Sequence, residues 1–129
     1  MRFFLAIAIV VLVAACTPRV QPVYVVQDHP LPKAAAALSQ EQLDTIAREA
    51  AVARGWMVER TAPGQFRLIQ RWRTHSAEAQ LVIAARGYSV NLVSSTNLKE
   101  AEGHIHRAYN NNVRALEAEL ERRLFNASN

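Results

Sequence analysis

Phe66-Arg-Leu-Ile-Gln-Arg-Trp-Arg73 and Ala77-Glu-Ala-Gln-Leu-Val-Ile-Ala84 decide the fold. In the first, Phe66, Leu68, Gln70 and Trp72 alternate with Arg67, Ile69, Arg71 and Arg73. In the second, Ala77, Ala79, Leu81 and Ile83 alternate with Glu78, Gln80 and Val82. Side chains of a strand point to opposite faces in turn, so this period of two predicts one buried and one wet face. Upstream, residues 56–60 form a shorter run that ends at the turn signal Ala62-Pro63-Gly64. Downstream, Arg86-Gly87 turns the chain into Tyr88, Val90 and Leu92. Four successive runs with short turns predict an antiparallel meander.

Helical patterns flank the meander. Ser39 with Gln42 three residues later matches a capping box, and Leu43, Ile46, Ala47 and Ala50 then recur at helical spacing up to the stop at Gly55. After the strands, Ile105, Tyr109, Val113, Leu116, Leu120 and Leu124 form one apolar stripe, with Glu117, Glu119, Glu121, Arg122 and Arg123 outside it. The order α-β-β-β-β-α predicts an α+β two-layer sandwich over residues 39–125, with both helices on one face of the sheet and 126–129 as a tail.

Residues 16–38 hold four of the five prolines, at 18, 22, 30 and 32, and read as a Pro/Ala-rich tether. Such a tether would hold the domain several nanometres from whatever anchors it. Within it, Val23-Tyr24-Val25-Val26 is strand-like and suits an edge strand or a partner contact. Ahead of it, Arg2 precedes an unbroken apolar run over 3–15. That run is too short to span a bilayer and fits the core of a signal peptide. Val13-Ala-Ala-Cys16 resembles a bacterial lipobox, with the only cysteine of the chain at the critical place. The resemblance implies cleavage of residues 1–15 and lipidation of Cys16. Thr17, in place of aspartate, implies sorting to the periplasmic face of a Gram-negative outer membrane. A single cysteine also leaves the fold without an intramolecular disulfide.

Of the 129 residues, removal of 1–15 leaves 114, the size of one domain. Without Arg2 the chain carries 14 Lys plus Arg against 11 Asp plus Glu, a net charge of +3. This is mild, and with export it points away from nucleic acid and towards membrane and envelope partners. Anionic headgroups would suit the positive charge.

Candidate chemistry is sparse. Arg67, Arg71 and Arg73 would stand on the open sheet face with Glu78 and Gln80, as a binding patch or an ordinary solvated face. On a helix His104 and His106 would point about 160° apart, unlike the i, i+4 pairs that ligate metals, so neither metal nor cofactor is expected. His104 would face solvent and His106 would lie beside the core stripe. The only aspartates are Asp28 and Asp44, which leaves a Ser-His-Asp triad without a suitable acid, and no enzyme activity is expected. Ser94, Ser95, Thr96 and Asn97 end the last strand, while His106, Tyr109 and Asn110 open the following helix. Chain geometry brings Ser95, Asn97, His106, Tyr109 and Asn110 together, either as a small polar pocket or as mutual satisfaction of polar groups at the helix start.

Arg73-Thr-His75-Ser-Ala77, Tyr88-Ser89-Val90, Ser95-Thr-Asn97-Leu98 and Ile105-His106-Arg-Ala-Tyr109-Asn110, after Gly55-Trp56, resemble a family of small bacterial lipoproteins of uncharacterised function. Those relatives read R-x-H-x-A, Y-S-I, S-x-N-L and I-H-x-x-Y-N. Asn112 stands where the family often has tryptophan, which removes an aromatic contact from that turn. The resemblance implies no activity, but it singles out the polar cluster. The expected function is a lipid-anchored, non-catalytic module that binds an envelope protein. A small-ligand or glycan pocket is the second reading, and a hydrolase the third.

Overall fold

The structure is a computed structural model, and it describes residues 18–127. The expected signal peptide, Cys16 and Thr17 lie outside the described residues. The fold is α+β, with strands β1 (Val20–Pro22), β2 (Val26–His29), β3 (Met57–Ala62), β4 (Gln65–Trp72), β5 (His75–Ala84), β6 (Gly87–Thr96) and β7 (His104–His106). Helix α1 spans Gln40–Ala53 and α2 spans Arg107–Ala127, while a short 3-10 helix covers Lys33–Ala37. Five strands form an antiparallel sheet in the order β2-β6-β5-β4-β3, and β1 pairs with β7 in a separate ribbon.

Alternation carries the core as expected. Phe66, Leu68, Ala77, Ala79, Leu81, Ile83, Tyr88 and Val90 are all buried beneath the helices, which supply Leu43, Ala47, Ala50, Val113, Leu116, Leu120 and Leu124. Small residues on α1 allow close approach to α2, and Arg123 on α2 reaches Glu49 on α1 at 3.2 Å. The capping box forms: Gln42 N donates to Ser39 Oγ at 3.1 Å, and Ser39 N donates to Gln42 Oε1 at 2.9 Å. Gly55 closes α1 with φ +82°, a conformation that glycine adopts without a Cβ penalty.

Four local expectations are corrected. First, the segment read as a tether is folded: β1 and β2 lie in it, with β2 an edge strand on β6. Its prolines sit where strand pairing tolerates them, at the end of β1 and just after β2. Second, His104-Ile105-His106 is strand, not helix, because it pairs with Pro22, Gln21 and Val20. Ile105 continues the four-residue spacing of α2 only by coincidence. Residues two apart on a strand share a side, so the two histidines are not splayed as on a helix. Third, Arg73 leaves the open face: β4 ends at Trp72, and Arg73 occupies the β4–β5 turn with φ 54°. Fourth, a β-bulge interrupts β6. Glu78 faces Ser94 but Ala79 faces Leu92, so Val93 is the extra residue. This reverses the alternation and turns Ser95 to the side of the buried Ala77.

Candidate functional site

Backbone strain is concentrated at one end of the sheet. Arg73 (φ 54°), Asn97 (φ 58°), Lys99 (φ 54°) and Glu102 (φ 51°) are four of the five non-glycine residues with positive φ among those described. Left-handed backbone costs a non-glycine residue about 1–2 kcal/mol, least for Asn or Asp. The surrounding contacts hold it in place. Asn97 Nδ2 donates to Thr74 Oγ1 at 2.8 Å, which ties the β6–β7 loop to the β4–β5 turn. His75 Nδ1 lies 2.6 Å from the Asn97 carbonyl oxygen, so that nitrogen carries the hydrogen and donates. Between two left-handed neighbours, Leu98 drops into the core, and its carbonyl accepts from His106 N at 2.7 Å.

The five polar residues expected to gather here are neighbours along this end, but each answers to a different partner. Ser95 Oγ donates to Glu100 Oε1 at 2.5 Å. Asn97 bonds Thr74, as above. His106 ends β7 and caps α2, its Nδ1 accepting from Ala108 N at 3.1 Å. Tyr109 is buried, and its hydroxyl has no hydrogen-bond partner among the described residues. Asn110 turns away to the amino-terminal segment. The contacts of Ser95, Asn97, His106 and Asn110 are those of a folding cluster, which leaves the Tyr109 hydroxyl as the group without a structural use.

Two expectations follow from these roles. Burial first, and then Arg107, Lys99, His75 and Arg19, hold the His106 imidazole below its ordinary value of 6.5. A neutral Nδ1 is also what the cap requires, since a protonated one cannot accept. Unfolding therefore takes up a proton as pH falls below about 6.5, so this contribution to stability is present above that pH and lost below it. His106→Ala should cost about 1 kcal/mol at pH 8 and flatten the pH dependence of the urea midpoint between 7 and 5.5. An unchanged slope would mean that another group titrates there.

Burial also pushes the Tyr109 phenol well above its usual range, with the Glu100 charge adding to the effect. Its hydroxyl is costly to leave unpaired, so Tyr109→Phe should be neutral or raise stability by about 1 kcal/mol in thermal unfolding. A loss of stability would show that the hydroxyl has a partner in solution.

Asn110 is the residue whose purpose was least legible. Its Oδ1 accepts from Tyr24 N at 2.8 Å, and its Nδ2 donates to the Pro22 carbonyl at 2.9 Å. The amide thus imitates a strand partner for the chain between β1 and β2. One and two turns further along α2, the guanidinium of Arg114 lies 4.5 Å from the Tyr24 ring centroid, and Glu117 accepts from the Tyr24 hydroxyl at 3.0 and 3.1 Å. Glu121 then accepts from the Tyr88 hydroxyl at 2.7 Å and lies 3.2 Å from His29. Asn110, Arg114, Glu117 and Glu121 therefore form a second stripe on α2, beside the core stripe, which receives the amino-terminal segment. Their 4, 3, 4 spacing is visible in the sequence, but nothing local says what they hold.

On the opposite face of the sheet, Arg67 is enclosed by carboxylates: it reaches Glu78 at 2.6 Å and Glu59 at 3.4 Å. Those bonds raise its pKa further. Arg71 stands on the same strand as an exposed residue, one side of a shallow depression with Ile69, Ser76, Glu78 and Ser94. The expected three-arginine patch is thus one neutralised arginine, one exposed arginine, and Arg73 displaced to the turn. Among the described residues no group of His, Cys, Asp and Glu could hold a metal ion, and no helix is long and apolar enough to cross a membrane. No protein-family model, no curated protein and no solved structure matches the chain.

Proposed function

We propose that the protein is a lipid-anchored module of the bacterial envelope, without catalytic activity, that serves as a binding or accessory unit for an envelope protein. One observation carries this reading: the apolar run 3–15 ends at Val13-Ala-Ala-Cys16, and the chain has no other cysteine. Cys16 would be acylated, and the folded domain would stand on the periplasmic face of the outer membrane. Two or more acyl chains hold a protein stably at a bilayer, whereas one holds it marginally.

The open sheet face supplies the partner surface in this reading. Arg71, Gln80 and Val93 lie exposed on it, while the helices cover the other side. Crosslinking in intact cells, followed by capture of the full-length protein, should recover one envelope protein in stoichiometric amount. Arg71→Glu should abolish that capture without altering the fold. Capture that survives Arg71→Glu together with reversal of Arg67 would remove this face as the interface.

A further inference from the structure

We propose that the end of the domain formed by β1, β7, the β6–β7 loop and the β4–β5 turn is a membrane-facing surface that docks on anionic lipid headgroups. This rests on acylation of Cys16 and specifies how an acylated chain would sit.

The length of free chain makes the case. The first strand among the described residues begins at Val20, which pairs with His106, so only Thr17, Pro18 and Arg19 separate it from Cys16. Fully extended, that connection spans about 14 Å. Each headgroup layer takes up roughly 6 Å of this, given about 30 Å of hydrocarbon in a bilayer of 40–45 Å. The β1–β7 ribbon is thereby held within about 8–10 Å of the headgroup charges, one Debye length at physiological salt. A free tether over 17–38 would instead reach about 70 Å, where those charges are fully screened.

The surface so presented is cationic. Arg19 and Arg107 flank the Val20–His106 pair, with Arg107 N donating to the Arg19 carbonyl at 2.6 Å, and Lys99 follows Leu98, whose carbonyl accepts from His106 N at 2.7 Å. Arg73 occupies the adjacent turn, joined to the same loop through Thr74 and Asn97. Arg19, Lys99 and Arg73 are exposed. The acids of this end are Glu100, which is turned to Ser95, and Glu102. The three exposed cations against two carboxylates, one of them turned to Ser95, leave a positive excess at the end that the anchor brings to the bilayer. Basic residues beside a lipid anchor strengthen attachment to anionic leaflets. The strained loop conformation, which places Lys99 outward while Leu98 is buried, then has a use: it presents the charge from a rigid base.

The test uses the full-length acylated protein, inserted in vesicles of phosphatidylcholine alone or mixed with phosphatidylglycerol. Amide hydrogen exchange over 97–107 should slow severalfold in the mixed vesicles, while the β5–β6 turn at Arg86 stays unchanged. The protection should fade in high salt and vanish in Arg19→Glu/Lys99→Glu. Acylated protein with equal exchange in both vesicles, or protected at Arg86 instead, overturns the surface alone. A mass of the amino-terminal peptide that lacks acyl chains overturns the anchoring reading, and this surface with it.

Discussion

Asn110→Ala should lower the free energy of unfolding by about 2–3 kcal/mol and release the amino-terminal segment well before the rest of the domain unfolds. The side chain is 1 % exposed, and both ends of its amide are engaged by backbone 86 and 88 positions away. Truncation leaves the Tyr24 N–H and the Pro22 carbonyl without partners. Neither can take a substitute from α2, since Arg114 and Glu117 are already placed on the Tyr24 ring and hydroxyl. Opening of the segment restores their hydration but unzips β1 from β7, whose three residue pairs make a marginal ribbon by themselves. Limited trypsin digestion should cut after Arg19 much faster than in the parent protein, with the core fragment intact. Tyr24→Phe, which loses only the bond to Glu117, should cost under about 1 kcal/mol. If Asn110→Ala digests no faster than Tyr24→Phe, the amide is not what holds the segment.

Features of the fold that local physics settles are legible in the sequence. The Ser39–Gln42 capping box and the alternation within 66–72 and 77–84 are such cases, because a cap and an alternation are each settled within a few residues. Pairings of distant segments were not legible. Val20-Gln-Pro22 carries no strand signal of its own and becomes a strand because His104-Ile-His106 lies beside it. Nor does a bulge alter the composition of a strand: Val93 looks like one more alternating residue, yet it sends Ser95 to the other face. Chain geometry places the polar residues near the start of α2 and leaves a pocket and a structural role both open, whereas three of them serve three separate structural tasks. Asn110 holds the entering chain, His106 caps a helix, and Asn97 fastens a loop. Which task each performs depends on backbone groups far away in sequence.

Asp44→Ala should cost about 2–3 kcal/mol, the second large effect, and the reason is a turn more than an ion pair. The carboxylate is 6 % exposed and accepts from Gly64 N at 3.0 and 3.2 Å, from Gln40 Nε2 at 2.8 Å and from Arg60 Nε at 2.9 Å. Gly64 has φ +73°, and a Cβ there would lie 2.5 Å from the Ile83 carbonyl oxygen. The β3–β4 turn is thus pressed against β5 with a buried N–H that only Asp44 satisfies. Arg60 is 43 % exposed on its side chain and can return to water, so its share resembles that of a surface pair, at most about 1 kcal/mol. Arg60→Met should therefore cost far less than Asp44→Ala, and Asp44→Asn, which keeps one acceptor oxygen, should fall between them. Urea unfolding separates the cases: the midpoint should shift with the slope unchanged, since the surface exposed on unfolding is the same. Equal losses for Arg60→Met and Asp44→Ala would reverse the assignment and make the ion pair the stabilising element. The same geometry bears on chemistry. Of the two aspartates in the chain, the buried one spends its lone pairs on the Gly64 amide, the Gln40 side chain and Arg60, which leaves none directed at a substrate or a histidine.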